Sequence, residues 1–313
     1  MKLSRLVAAY LVHRRALGNR FITEGFILRS FCRHLGDPPL DGIAAGAVRS
    51  FLLNDHSGIE TAARKRRALA GLYHYAHTRG YGTLSPLPTL PADPRSSFVP
   101  YIYSHAELRR LLDAIPAVCA VRLSLAEDYC MRALLLTLYG AGLRLGEALR
   151  LKDTDVDLRD AVLTIHETKF FKARLVPIGQ DLLLVLRDYR TRRDRRHGVH
   201  PDAPFFRLRN GAPLNKSVAE CTFCRVRATA GVQRQGGPRQ QPRLHDLRHT
   251  AAVHRLLRWY RTGVDLQQQL LRLATYLGHK DLSGTQRYLT LTPQLLRTAS
   301  RRFARYVKEN RHE

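Results

Sequence analysis

Two motifs toward the C-terminal end of the 313-residue chain hold its most chemically capable side chains. His245-Asp246-Leu247-Arg248-His249-Thr250 opens the region, and Leu277-Gly278-His279, followed by Tyr288 in Gln286-Arg287-Tyr288-Leu289, closes it. His245, Arg248, His279 and Tyr288 are candidates for a single site. An arginine grips phosphate with a planar fork of donors, a histidine moves protons near neutrality, and a tyrosine can attack as a covalent nucleophile. Together these groups suggest phosphoryl transfer.

Three more cationic residues stand upstream. Arg144 lies in Gly142-Leu143-Arg144-Leu145-Gly146-Glu147, where glycines permit a tight turn between apolar helices. Glu147, three residues on, either holds that guanidinium or is an ordinary acid in a first helical turn. Lys169 and Lys172 sit between two β-rich runs, at the expected tip of a hairpin. A lysine there either reaches a phosphate as charge and proton donor or is simply solvated.

The elements that must position these residues are mostly helical. Between the two motifs, Ala252, Val253, Leu256 and Leu257, then Leu270, Leu271, Leu273 and Leu277, follow helical spacing with one buried face. Ser104-His105-Ala106-Glu107 reads as a helix start, with Leu111, Leu112 and Ile115 on its apolar face. Residues 126–139 read as a buried apolar helix, and Glu147 leads into a helix through Leu149 and Leu151. Runs 161–165 and 174–178 are the strands, with the turn over 168–172. Residues 182–189 return to helix and run into Arg190-Thr191-Arg192-Arg193-Asp194-Arg195-Arg196, read as a solvated charged helix end or loop. Residues 218–230 form another helix, and 233–242 a Gly/Gln/Pro loop.

Residues 1–85 read as a separate all-helical unit. Phe21, Ile27, Leu28, Phe31 and Leu35 pattern one helix, residues 44–53 a second, and Ser57-Gly58-Ile59-Glu60 matches a capping box for a third. That third helix buries Ala62, Leu69, Leu72, Tyr73 and Ala76, stops at Gly80, and displays Arg64, Lys65, Arg66 and Arg67. The basic run either follows a phosphate backbone or is a solvated face. Pro86, Pro88, Pro91, Pro94 and Pro100 make 86–100 an extended linker, leaving 101–313 as the second domain.

Composition narrows the partner. With 52 Lys and Arg against 26 Asp and Glu, the net charge is +26, and both halves are basic. A polyanion, nucleic acid first, is the expected partner. No run of roughly 18 apolar residues suggests a membrane span, and the N-terminus lacks a signal-peptide core, so a cytoplasmic protein is expected. Five scattered cysteines fit a reducing compartment. Cys221-Thr222-Phe223-Cys224 offers half of a zinc-ribbon spacing with no second pair, so no metal is assigned.

Taken in order, Arg144, Lys169, His245, Arg248, His279 and Tyr288 resemble the catalytic set of the tyrosine recombinases, the phage-integrase family. The 142–147 run resembles the family's first arginine box. Thr168-Lys169 before 172–178 is similar to its hairpin lysine, His245-x-x-Arg248 to its His-x-x-Arg box, and Leu277-Gly278-His279 with Tyr288 to its final box and nucleophile. The resemblance implies a mainly α fold with a small β-sheet (α+β). It comprises an N-terminal helical core-binding (SAM-like) domain and a catalytic domain with a C-terminal tail helix. It further implies a 3′-phosphotyrosyl intermediate at Tyr288, with Arg144, Arg248 and His279 on the phosphate oxygens. Lys169, or secondarily Lys172, protonates the leaving 5′-oxygen, and His245 assists at the tyrosine.

Expected partners are duplex DNA carrying specific recombination sites and a homotetramer on two duplexes. The tail bearing Leu295, Leu296, Ala299, Phe303 and Val307 either packs into a neighbouring protomer, as the resemblance implies, or folds back on its own domain. Accessory or co-encoded recombinases are a further class, and the setting is the bacterial nucleoid. No cofactor, metal or nucleotide is implied. Integration, transposition and resolution share this chemistry; the 275–279 segment leans toward a mobile-element enzyme. Two readings compete: a type IB topoisomerase-like nicking and closing enzyme, and a DNA-binding module without catalysis.

Overall fold

The computed structural model describes residues 1–19, 21–53, 58–81, 87–88, 99–121, 124–166, 173–200, 202–237, 240–278 and 288, apart from the side chain of Glu60. Two compact units divide the chain near residue 98. Most of the proline-rich stretch lies outside the described residues.

The first unit is helical. α1 (Leu3–Ala16) buries Leu3, Leu6, Val7, Tyr10 and Leu11, a helical stripe that presses against α2 (Ile22–Leu35) and its buried Leu28 and Phe31. α3 (Ala45–Leu52) adds Val48, Phe51 and Leu52. α4 (Ile59–Thr78) supplies Leu69, Leu72, Tyr73 and Ala76 to the same core. The cap of α4 is Gly58, one residue after the expected Ser57, which lies outside the described residues.

The basic run on α4 divides. Lys65 donates to the Phe51 carbonyl at 2.9 Å and lies over the Phe51 ring, and Arg66 donates to the Pro88 carbonyl at 3.0 Å. Only Arg64 and Arg67 of the four are exposed.

The second unit begins with α5 (His105–Cys119), entered through a complete capping box. Ser104 Oγ accepts from the Glu107 N–H at 3.2 Å, and Glu107 accepts from the Ser104 N–H at 2.8 Å. α6 (Asp128–Gly140) is buried through Met131, Ala133, Leu134, Leu135 and Leu138 and packs against its neighbours on more than one side. The helix expected to continue through Leu151 is only α7 (Leu145–Ala148).

A three-stranded antiparallel sheet follows, in the order β1 (Val156–Asp157), β2 (Val162–Ile165), β3 (Arg174–Pro177), with Leu163 opposite Val176. The short β1 is not anticipated by the sequence pattern, because a two-residue strand carries too little alternation to stand out.

α8 (Gln180–His197) corrects the expectation of a solvated loop or helix end at its basic segment. The helix runs through the whole arginine-rich stretch, and Arg193 is 1% exposed. Its guanidinium meets Asp153 at 2.7 Å and Asp194 at 2.5 Å and donates to the Phe205 carbonyl at 2.9 Å. Arg207 joins Asp153 from another side at 3.2 Å. Arg193 points inward because the i−4 and i−7 positions, Tyr189 and Leu186, define the buried stripe.

α9 (Lys216–Thr229) packs on α5 and leaves Cys221 and Cys224 exposed. α10 (Leu244–Arg261) packs on α6, and α11 (Leu266–Leu277) packs on α10. Leu271, expected in the apolar stripe, is exposed, while Leu270, Leu273 and Leu277 carry the face. The mainly α architecture with a small sheet is as the sequence implied. No helix among the described residues is long and apolar enough to cross a membrane.

Asp153 is the hinge of the buried ion cluster. Removing it takes from two buried guanidiniums the carboxylate they share and leaves Arg207 with only a carbonyl partner, so Asp153→Ala is expected to lower stability by roughly 3 kcal/mol. Asp188→Ala, which breaks a surface pair with Arg192, is expected to cost at most about 1 kcal/mol. Urea unfolding followed by Trp259, the chain's single tryptophan, separates the two.

Candidate active site

Glu147 draws the site together. Its carboxylate is 5% exposed and bound to groups from two separate elements. Oε1 accepts from Arg144 Nη1 at 2.7 Å, and Oε2 accepts from the Arg144 backbone N–H at 2.9 Å. Arg174 on β3 makes a two-pronged pair with the same carboxylate, at 3.2 and 2.9 Å. Arg248 Nη1 lies 3.8 Å from Oε2. Burial alone would raise this carboxyl, but the hydrogen bonds from Arg174 and the Arg144 backbone, with both charges, pull it down to about 2. Both readings open for Glu147 hold in the structure: it pairs with the Arg144 guanidinium and, from the first turn of α7, accepts from the Arg144 backbone N–H.

The same three guanidiniums converge on the end of α11. Arg174 Nε donates to the Tyr276 carbonyl at 3.2 Å, Arg248 Nη2 to Leu277 at 2.6 Å, and Arg144 Nη2 to Gly278 at 3.1 Å. These carbonyls have no partners inside the helix, and its negative dipole end favours cations. Gly278 ends the helix at φ +67°, and a Cβ there would stand 2.7 Å from Arg174 Nη1. Gly142, at φ +63°, lets the turn before Arg144 present its carbonyl to Arg248 Nη1 at 2.7 Å. A Cβ on Gly142 would meet Leu277 Cδ2 at 2.7 Å, so both glycines serve backbone conformation and close packing.

Exposure separates the arginines. The Arg144 side chain is 41% exposed, and that of Arg248 is 2% exposed. Burial, then the neighbouring Arg144 charge, draw the Arg248 guanidinium down to about 10.

α10 supplies the remaining groups. Asp246 accepts from the Arg243 N–H at 2.8 Å, and Thr250 Oγ1 accepts from the Tyr103 N–H at 3.1 Å, so these two motif residues fasten the helix. Tyr103 strengthens the join by donating to the Arg243 carbonyl at 3.0 Å. His245, Arg248 and His249, at i, i+3 and i+4, then share another face. The His245 and His249 rings meet edge to face, with centroids 4.7 Å apart. Burial, then the charges of Arg248, Arg243 and Arg144, lower His245 to about 4, so the ring is neutral at physiological pH.

Tyr288, 4% exposed, packs with Val253, Leu256 and Leu273, and its Oη lies 3.0 Å from His249 Nδ1. The structure thus brings Arg144, Glu147, Arg248 and His245 together and docks the Tyr288 side chain against α10, the helix that bears Arg248. Lys169, Lys172 and His279 lie outside the described residues.

Sequence reasoning assigned nothing to His249 or Arg174. His249 was legible as the i+4 neighbour of His245. Arg174 was legible from strand alternation, since it shares the inward face of the buried Val176 while Leu175 points out.

Residues 103–294 match the phage integrase family. A putative integrase/recombinase of Sinorhizobium fredii, y4rB, is 37% identical over 74% of this chain and 78% of its own length. A second from that organism, y4rE, is 34% identical over 96% of this chain and 95% of its own. The structure of the Tn1549 transposon integrase in complex with a circular intermediate DNA superposes with a TM-score of 0.68. It shares 18% identity and covers 96% of this chain and 99% of that one, a likeness of fold. The chain belongs to the phage integrase family, the tyrosine recombinases.

Glu147 carries a pH signature. Its folded pKa, about 2, lies below the ordinary value of 4.5. Its stabilisation is therefore fully present above about 4.5 and lost as pH falls toward 2, on the order of 3 kcal/mol. Glu147→Gln is expected to be less stable than wild type at pH 7, with the gap closing between pH 4.5 and 2. Denaturant midpoints read from Trp259 across that range check it. A constant gap would contradict the assignment.

Proposed function

We propose that this protein is a site-specific DNA recombinase that cleaves and rejoins DNA through a 3′-phosphotyrosyl intermediate at Tyr288. The observation that carries the reading is the arginine cluster on Glu147 and the end of α11, with Arg144 open to solvent and Tyr288 docked on the helix that bears Arg248. Family membership and the +26 charge support it.

In this reading the Tyr288 phenol attacks the scissile phosphate, forming a P–O bond as the P–O5′ bond breaks. Charge gathers on the non-bridging oxygens, which Arg144 meets first, with the buried Arg248 behind it and His279 as a further donor. Lys169 protonates the leaving 5′-oxygen, with Lys172 as the second candidate. The neutral His245 lies among the arginines without adding to their charge. A 5′-hydroxyl from a partner strand then attacks the phosphotyrosine, and two such exchanges pass through a Holliday junction. The intermediate conserves the phosphodiester energy, so the reading assigns no step to a metal or nucleotide.

The partners proposed are duplex DNA with specific recombination sites and, across two duplexes, a homotetramer joined by the tail after Tyr288, all of which lies outside the described residues. Arg64 and Arg67 on α4 are the better backbone contacts of that run because they are exposed, whereas Lys65 and Arg66 are half-buried. A cytoplasmic, nucleoid-bound enzyme fits this work.

Covalent capture tests the reading without a target sequence having to be specified. A labelled library of nicked duplexes with a randomised core is incubated with wild type, Tyr288→Phe and Arg144→Ala, then denatured. Wild type is expected to leave protease-sensitive protein–DNA adducts, Tyr288→Phe none, and Arg144→Ala adducts formed about 10²–10³-fold more slowly. Equal adducts from Tyr288→Phe would move the nucleophile elsewhere. Salt-sensitive binding with no adduct from wild type would favour a binding module. Strand transfer between two labelled duplexes distinguishes recombination from nicking and closing alone.

A further inference from the structure

We propose that His249 is the base that takes the phenolic proton of Tyr288 on cleavage and returns it on rejoining. This rests on the recombinase reading above and adds to it a catalytic residue at the attacking atom.

Three observations carry it. First, His249 Nδ1 stands 3.0 Å from Tyr288 Oη, within the reach that proton transfer requires. An imidazole whose own proton is on Nε2 presents at Nδ1 the lone pair that can receive one. Second, the contact is rigidly based. His249 follows Arg248 directly on α10, and the helix is fixed at that point by the Thr250 and Asp246 hydrogen bonds. The base therefore keeps register with the Arg248 guanidinium that stands behind Arg144 in the cluster. Third, Tyr288 is 4% exposed, so its hydroxyl depends on protein groups for a proton acceptor.

The other imidazole on this face is poorly placed for that work. His245 is one helical turn closer to the helix start, buried among Arg248, Arg243 and Arg144, all of which oppose a further positive charge. Its ring meets His249 edge to face instead, which leaves His249 between His245 and the phenol.

On cleavage the Oη–H bond breaks as Oη–P forms, and the proton passes to His249 Nδ1. The P–O5′ bond breaks, and the leaving oxygen takes a proton from Lys169. On rejoining, the incoming 5′-hydroxyl gives its proton to Lys169, the P–Oη bond breaks, and the phenolate recovers its proton from His249.

The test uses full-length protein and a nicked duplex recovered by covalent capture with wild type. Single-turnover adduct formation is timed for wild type, His249→Ala and His249→Asn, each with tyrosine or the more acidic fluorotyrosine at position 288. Duplex affinity and Trp259 fluorescence are checked in parallel. His249→Asn keeps a hydrogen-bond acceptor near the Nδ1 position but cannot take up the proton. Both variants are expected to bind duplex normally and to form adduct about 10²-fold or more slowly. Fluorotyrosine, whose proton leaves more easily, is expected to close much of that gap.

A wild-type rate for His249→Asn would overturn the proposal by reducing His249 to an anchor, as would a gap that fluorotyrosine leaves unchanged. Should His249→Ala fail to fold, His249→Asn carries both comparisons. Loss of adduct in wild type itself, or its persistence in Tyr288→Phe, would instead sink the recombinase reading. A wild-type adduct with undiminished His249 variants sinks the His249 assignment alone.

Discussion

The site depends on one buried carboxylate. Arg144, Arg174 and Arg248 come from a turn, a strand and a helix that are far apart in the chain, and three guanidiniums repel one another wherever solvent is excluded. Glu147 makes their approach tolerable by accepting from Arg144 and Arg174 and standing 3.8 Å from Arg248. The end of α11 completes the compensation, since Tyr276, Leu277 and Gly278 each offer a carbonyl to a different arginine. Neither acceptor alone has enough lone pairs for the set. A short helix bearing Glu147 and a helix ending in glycine are thus structural requirements of the same cluster.

The His245–Thr250 motif shows how one helical turn divides its labour. Asp246 and Thr250 face the 101–104 segment and the helix start, where their hydrogen bonds fix the axis of α10. His245, Arg248 and His249 face the other way. Fixing the axis with side chains from the same turn leaves little play between fastening and function, which suits chemistry that fails when groups drift by an ångström.

Much of this is legible in the chain. The boxes around Arg144, His245 and Tyr288 are found by resemblance, while the helical periodicities of α5, α6, α10 and α11 and the two longer strands follow from spacing and residue type. What escapes has identifiable causes. Arg193 reads as solvated because an arginine among arginines looks like surface, and its burial depends on Asp153, distant in sequence, to pair with it. Lys65 and Arg66 read with their neighbours as one face, whereas carbonyls of Phe51 and Pro88 claim them individually. Arg174 and His249 are within reach of strand alternation and helical spacing. Resemblance to known boxes passes over both, because neither sits at one.

The arrangement of Arg248 also explains why charge alone does not define its position. Its guanidinium spans two carbonyls, Gly142 and Leu277, at 2.7 and 2.6 Å, and joins the turn before Arg144 to the end of α11. A lysine keeps the charge but presents it as a point on a flexible stem, without the planar fork that reaches both acceptors at once. It would leave a buried carbonyl without its donor and loosen the turn that carries Arg144. Arg144, by contrast, anchors through Glu147 and Gly278 while much of its side chain stays exposed. The buried arginine therefore sets the geometry, and the exposed one keeps much of its side chain open to solvent.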